Sequence, residues 1–174
     1  MPSNVIQWFP GHMAKTRRLI TECLPLVDIV IEVLDARIPV SSRNPELAKL
    51  IGQKPKLSVF SKSALADPEV SKRWKEFYRE SGQSAIFYDC RNGDNLAQIA
   101  PTVRELLGEK LDRYESKGMT GRRLKAMMVG IPNVGKSSLI NALAKNSKAK
   151  VENRPGVTLN KQWITTSVGI DLLD

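Results

Sequence analysis

The sequence has no long apolar run, few cysteines and few aromatic residues. None of its 174 residues lies in a run of the roughly 18 apolar residues that suggests a membrane span, and residues 1–7 lack the pattern of a secretory signal. The sequence therefore predicts a cytoplasmic protein that does not contact membranes. Its two cysteines, Cys23 and Cys90, lack metal-ligand spacing and can form one disulfide at most, as is typical of a reducing compartment.

The chain is strongly basic, with a net charge of +9 and a pI near 9.7. Such an excess favours a polyanionic partner such as nucleic acid, although each basic group taken alone is as typical of a solvated helix face. Aromatic residues make up only 6% of the chain and no RNA-recognition signature is present, so binding would depend on phosphates and be sensitive to salt. The basic groups are Lys15, Arg17 and Arg18; Arg113, Lys117, Arg122, Arg123 and Lys125; and Lys145, Lys148, Lys150, Arg154 and Lys161.

One segment, residues 130–137, fits the phosphate-binding pattern G-x-x-x-x-G-K-S/T. A glycine turn that leads into a helix offers many backbone N–H groups to a polyphosphate, and Lys136 adds a mobile positive charge. Ser137 falls in the first helical turn, where its hydroxyl can bind a Mg²⁺ ion held by the phosphates. The flanking residues agree, because 124–129 is typical of a short strand and 138–144 of a helix.

The remaining pattern predicts one α/β domain over residues 1–174, a three-layer P-loop sandwich with about six mostly parallel strands. The phosphate loop lies late in the chain, so most of the sheet must come before it. The predicted elements are strands at Val27–Asp35, Lys56–Phe60 and Ser84–Tyr88, a helix from Pro68 to Ser81 capped by Asp67, an interrupted helix from Asp94 to Tyr114, a linker at Ser116–Arg123, and a hairpin of Gln162–Ser167 and Gly169–Leu173. Asp35 with Arg37 is predicted to be a surface ion pair, and Trp163 to pack in the hairpin.

Two turns upstream of the phosphate loop follow predicted strands, and ligands collect at strand ends. Ser61-Lys62-Ser63-Ala64 follows the second strand, and Asp89-Cys90-Arg91 follows the third. They occupy the places where a guanine-binding protein carries its N-K-x-D and S-A-K motifs, but they come before the phosphate loop instead of after it. The chain therefore resembles a circularly permuted GTPase.

The resemblance becomes specific when the ends of the chain are included. The matching segments are Ile6–Lys15, Leu34–Pro39, Ser41–Pro45, Gly130–Ser138 and Arg154–Thr158. Together they closely resemble the ribosome biogenesis GTPase A family, bacterial assembly factors of the large ribosomal subunit. The resemblance implies a GTPase switch that is slow alone, is activated by the ribosome, and acts on the large-subunit precursor and its rRNA, and we expect a monomer.

The resemblance also implies roles for individual residues, with GTP or GDP, Mg²⁺ and K⁺ as cofactors. Catalysis is assigned to His12 and Lys136, although His12 could instead pack or contact RNA. Mg²⁺ is assigned to Ser137, Thr158 and Asp174, and K⁺ to Asn133. The nucleotide-binding residues by the same match are Ser61, Lys62, Ala64, Asp89, Cys90, Asn133, Val134, Gly135, Lys136, Ser137 and Ser138.

Two departures from the family pattern keep other functions open. Ser61 and Ala64 stand where the family has asparagine and aspartate, and by analogy with base readout in DNA the missing carboxylate should forfeit about 1 to 3 kcal/mol of guanine preference. The chain also ends at Asp174, the first residue of D-x-x-G, before the family's C-terminal helical region, so we expect nucleotide binding with poor hydrolysis. The alternatives are a nucleotide-binding RNA module with little hydrolysis and a P-loop ATPase or kinase of relaxed base specificity.

Overall fold

The computed structural model describes residues 10–144, 151–152 and 163–173, with side chains from residue 14 onward except those of 151–152. Thr158, Asp174 and the side chain of His12 therefore lie outside the described residues. No helix in this described part is long and apolar enough to cross a membrane.

The strands form one sheet in the order β3-β2-β1-β4-β7-β6-β5. Their bounds are β1 Ile29–Asp35, β2 Lys56–Ser61, β3 Ala85–Phe87, β4 Leu124–Val129, β5 Val151–Glu152, β6 Trp163–Thr165 and β7 Ile170–Leu173. Neighbouring strands from β3 to β7 in this order are parallel, whereas β6 is antiparallel to both β7 and β5. The six predicted strands are confirmed, and the two-residue β5 adds a seventh.

The described residues form six α-helices, of which the first precedes β1 and the others lie between strands. They are α1 Pro10–Cys23, α2 Pro45–Ile51, α3 Pro68–Glu80, α4 Ile99–Leu106, α5 Gly108–Glu115 and α6 Lys136–Ala144. Local capping sets several starts: the Asn44 side chain accepts a hydrogen bond from the Glu46 amide before α2, and the Asp67 side chain accepts one from the Val70 amide before α3. In both helices a proline follows the cap, where its missing N–H costs no hydrogen bond.

Helices cover both faces of the sheet, which gives the expected three layers. On one face, alternate β1 residues Ile29, Ile31 and Val33 pack in the largest core cluster with residues of α4 and α6. On the other face, Val30 packs with Leu47 and Ile51 of α2, and Phe60 stacks on Phe87 and meets the ring of Tyr78 from α3 edge to face. All seven residues of β1 are buried, as expected for a central parallel strand.

Two local predictions need correction. Asp94 does not cap a helix: Asn95 takes the left-handed conformation, a 3₁₀ turn follows at Leu96–Gln98, and α4 starts only at Ile99. Asn tolerates that conformation better than most residues, so the chain turns at Asn95 and the α-helix starts at Ile99. Proline followed by glycine predicts a turn at Pro10-Gly11, but this segment starts helix α1, because proline is well suited to the first turn of a helix.

Candidate nucleotide-binding site

The carboxyl ends of β1, β2, β3 and β4 meet at one edge of the sheet. The chain runs from β1 outward to β2 and β3, then returns to place β4 on the opposite side of β1. The order of the strands reverses at this point, and in parallel α/β sheets such a reversal opens a crevice for ligands. The loop after β4 is the phosphate-binding segment found in the sequence, so its position agrees with the predicted site.

The phosphate loop has the backbone conformation that its sequence requires. Asn133 and Gly135 both have left-handed φ angles, 60° and 104°. Helix α6 begins at Lys136, and the Leu139 amide donates to the Gly135 carbonyl at 3.0 Å. The side chains of Ser137 and Ser138 are exposed at the start of this helix. The loop thus presents helix N–H groups and two hydroxyls to the crevice, an arrangement suited to an anion.

Two further contacts define the shape of the loop. The ammonium of Lys136 donates to the carbonyls of Gly130 and Ile131 at 2.9 and 3.0 Å, so its charge lies within the turn. A Cβ atom on Gly130 would lie 2.5 Å from the carbonyl oxygen of Val33 in β1. Only glycine allows the loop to approach the neighbouring strand this closely.

Ser61, at the end of β2, joins the predicted base-binding turn to the phosphate loop. Its buried hydroxyl contacts two carbonyl oxygens, that of Leu34 at 3.0 Å and that of Val134 in the phosphate loop. A Cβ atom on Gly135 would lie 3.3 Å from both side-chain atoms of Ser61. The two segments are 73 residues apart in sequence and yet in direct contact. Ser61 therefore links the predicted base turn, residues 61–64, to the phosphate loop.

Lys62 makes a second link between these segments. Its ammonium donates to the carbonyl of Asn133 at 3.0 Å and to the carboxylate of Asp35 at 2.9 Å. Its own backbone is left-handed, with φ 57°. A non-glycine residue in this conformation costs about 1 to 3 kcal/mol unless its surroundings fix it, and such residues cluster at functional sites.

The turn after β3, residues 89–91, joins the same network of contacts through Asp89. Its buried carboxylate accepts a hydrogen bond from the Ala64 amide at 3.1 Å and from the Arg91 amide at 2.9 Å. Burial raises the pKa of Asp89, but the hydrogen bonds from Arg91 and Ala64 outweigh it and leave that pKa below its ordinary value. Ala64 and Cys90 are exposed beside this pair. The structure therefore brings the two base turns together.

Asp35 and Arg37 were predicted to form a surface ion pair. The pair forms, but Asp35 does not lie at the surface. Its carboxylate does bind Arg37, at 2.8 Å, but it is 4% exposed and also binds Lys62. Hydrogen bonds from Arg37 and then from Lys62 hold the pKa of Asp35 well below its usual range. The sequence did contain a signal for the contact with Lys62: Asp35 ends a buried strand that is parallel to β2. The carboxyl ends of parallel strands meet at the same edge of a sheet, so Asp35 and the turn after β2 should lie close together.

The structure shows the positions of two other residues singled out in the sequence, whereas three further site residues lie outside its described side chains. Asp67 caps α3 at its Val70 amide and is not part of the base turn. Trp163 is buried in the hairpin as predicted. The roles assigned to His12, Thr158 and Asp174 stay predictions, because their side chains are not described. No cluster of three or more potential metal-binding His, Cys, Asp or Glu side chains occurs among the described residues.

The fold and the order of its loops are those of circularly permuted P-loop GTPases, because the two predicted base turns precede the phosphate loop along the chain. Residues 125–174 match a family model described as 50S ribosome-binding GTPase. Over 170 residues the chain is 49% identical to ribosome biogenesis GTPase A of Bacillus licheniformis, covering 98% of this chain and 60% of that protein. Over 161 residues it is 40% identical to mitochondrial ribosome-associated GTPase 1 of Bos taurus, covering 89% of this chain and 48% of that protein.

Solved structures agree with the sequence relatives. The GNP-bound crystal structure of YlqF from T. maritima matches with a TM-score of 0.61 and 25% identity, covering 91% of this chain and 56% of that one. The GDP-bound YlqF structure matches with a TM-score of 0.60 and 26% identity, covering 90% and 56%. The resemblance to ribosome biogenesis GTPase A and the permuted fold are thereby confirmed. The chain spans about three fifths of the length of its bacterial relatives.

Proposed function

We propose that this chain is the GTPase domain of an assembly factor for the large ribosomal subunit, and that it binds and hydrolyses GTP. One observation carries the proposal: Ser61 and Lys62, from the predicted base turn, contact Val134 and Asn133 of the phosphate loop. A nucleotide has its base and its phosphates within one molecule, so a site for it needs both segments side by side. The names of the relatives, which are ribosome biogenesis or ribosome-associated GTPases, support the same assignment.

In the proposed site the amides of residues 133–138 and the ammonium of Lys136 hold the phosphates. Lys62 is proposed to lie under the base, and the Cys90 amide is proposed to donate to the guanine carbonyl. Asn133 is proposed to contact a K⁺ ion, as the resemblance implies. Because phosphoryl transfer needs mainly positioning and charge neutralisation from the protein, these groups account for most of what the domain supplies.

The described residues fit a Mg²⁺ ion held largely by the nucleotide. Magnesium usually keeps several waters and is bound by few protein groups together with substrate phosphates, and the exposed Ser137 hydroxyl at the start of α6 can supply one oxygen. Thr158 and Asp174 are proposed as the further ligands. When bound, the ion neutralises charge on the phosphates; His12 is proposed to orient the attacking water.

The partner is proposed to be the large-subunit precursor and its rRNA. The net charge of +9 supports a polyanionic partner, although part of the basic surface is engaged within the chain. Arg123 pairs with Asp171 at 2.7 Å, and the Arg122 guanidinium lies 4.4 Å from the centre of the Tyr114 ring. The cytoplasmic location and the monomeric state stay predictions.

The test compares GDP, a non-hydrolysable GTP analogue and ADP in binding titrations, and then measures GTP hydrolysis with and without purified large ribosomal subunits. The proposal expects guanine nucleotides to bind more tightly than ADP and hydrolysis to rise when subunits are added. Equal binding of ADP would instead favour a P-loop ATPase of relaxed specificity. Guanine binding without any hydrolysis, even with subunits, would favour an RNA-binding module that does not turn over.

A further inference from the structure

Asp35 is the only buried carboxylate among the described residues that contacts Lys62. It ends β1, next to Ser61 in the parallel register between β1 and β2. Its side chain is 5% exposed, while those of Lys62 and Arg37 are 29% and 45% exposed. A buried carboxylate must be paired to offset its lost hydration. Asp35 therefore holds the cationic groups of Lys62 and Arg37 close to the end of β1.

The two residues joined by the contact of Lys62 with Asn133 both have left-handed backbones. Lys62 and Asn133 both take left-handed conformations, with φ 57° and 60°, and one lies in each of the two segments that form the site. The Lys62 ammonium joins them by donating to the Asn133 carbonyl. Holding a flexible lysine side chain in one rotamer costs conformational entropy, and a second contact to the same ammonium helps to offset that cost.

We propose that Asp35 is a positioning residue, which holds the Lys62 ammonium against the phosphate loop and so keeps the base turn and the phosphate loop in register. This proposal rests on the proposed function, because it concerns the same nucleotide site. Asp35 itself contacts no nucleotide; it acts through Lys62. Arg37, bound to both oxygens of the same carboxylate, fixes the orientation of the carboxylate and leaves one oxygen shared with Lys62.

A double-mutant cycle on GDP affinity tests this role. Asp35→Asn in the otherwise natural chain should weaken GDP binding about tenfold or more, the scale of one charge-assisted hydrogen bond. In a chain that already carries Lys62→Met, Asp35→Asn should change GDP affinity by less than about twofold, since the group it acts through is gone. Equal losses in both backgrounds would overturn the proposal.

Asp28 provides a matched control on the same strand. It is a buried carboxylate, 4% exposed, just before β1, and it pairs with Lys110 at 2.6 Å. Seven residues of extended strand place it about 23 Å from Asp35. Asp28→Asn therefore also removes a buried charge pair, but GDP affinity should stay within about twofold of the natural chain. A loss equal to that of Asp35→Asn would show that general destabilisation explains both, and would overturn the proposal.

A second measurement covers the case in which Asp35→Asn does not fold. Lys62→Met alters a partly exposed side chain, and its backbone amide and side-chain carboxyl carbon NMR signals can be compared with those of the natural chain without nucleotide. The Asn133 and Gly135 amides and the Asp35 carboxyl carbon should all shift. An unchanged Asp35 carboxyl signal would overturn the proposal. If the natural chain binds no guanine nucleotide while these signals shift, the proposed function fails although the contact exists.

Discussion

Gly135 in the phosphate loop offers a substitution that should lower both folding stability and GDP affinity. A matched control variant can separate these two effects. Gly135→Ala adds a Cβ at a position with φ 104°, which L-amino acids rarely adopt, and that atom would lie 3.3 Å from the Cβ and Oγ of Ser61. The strained backbone should cost about 1 to 3 kcal/mol of folding stability. The contact with Ser61 adds a further displacement of a few tenths of an ångström, which the phosphate loop and base turn must share.

Gly118→Ala is the control. Gly118 has φ 73°, and a Cβ atom there would meet nothing within 4 Å, so the variant carries a similar backbone cost at a distant loop. Urea unfolding should show both variants destabilised by about 1 to 3 kcal/mol. Only Gly135→Ala should also weaken GDP binding, by about tenfold or more, because it separates the two segments of the site.

The decisive assay is a GDP titration under conditions where both variants stay folded. The reasoning is refuted if Gly135→Ala binds GDP as tightly as the natural chain, or if Gly118→Ala loses as much affinity. The first result would mean that the spacing between Ser61 and the phosphate loop does not matter for binding. The second would mean that lost stability, and not local geometry, lowers affinity.

Three further predictions concern base choice, pH and catalysis. Ala64→Asp should raise the preference for GDP over ADP about ten- to a hundredfold, measured as a ratio of dissociation constants; an unchanged ratio would show that the base does not lie at this turn. Burial raises the pKa of Tyr88 to about 12, above its unfolded value, so stability is fully present below about pH 10 and falls by about 3 kcal/mol as pH rises toward 12. Because the Tyr88 hydroxyl has no hydrogen-bond partner among the described residues, Tyr88→Phe should be neutral or slightly stabilising at neutral pH and reduce that alkaline loss in urea unfolding; an unchanged loss would contradict this cause. His12→Ala should slow GTP hydrolysis and leave GDP affinity unchanged, whereas loss of both would indicate a structural role.

The sequence predicted the parts of the fold that have strong local signals. A buried β-branched run predicted β1, a short stretch with Leu57, Val59 and Phe60 predicted β2, and the Asp67-Pro68 pair predicted the start of α3, because these signals act within a few residues. The start of α4 was missed because a left-handed Asn95 leaves little trace in hydrophobic periodicity. Strand β5 is only two residues long, too short for any pattern to reveal.

The candidate site was predicted in its segments but not in its connections. Motif spacing located the phosphate loop and the two turns that are proposed to bind the base. The link from Ser61 to Val134 depends on how β2 pairs with β1 and how β1 pairs with β4, which is a property of the folded sheet. Asp35 was assigned to its sequence neighbour Arg37 for the same reason: its second partner, Lys62, is 27 residues away.

The most direct test of the account is an amide NMR titration of the natural chain with GDP and Mg²⁺. The account predicts shifts in two separate stretches: Asn133 to Ser138 in the phosphate loop, and Lys62 to Ala64 with Cys90 in the base turns. A cavity of about 730 Å³ at the opposite edge of the sheet, lined by Asp28, Lys54 and Lys110 among others, gives the alternative location. Shifts confined to that cavity, or to the phosphate loop without the base turns, would contradict it.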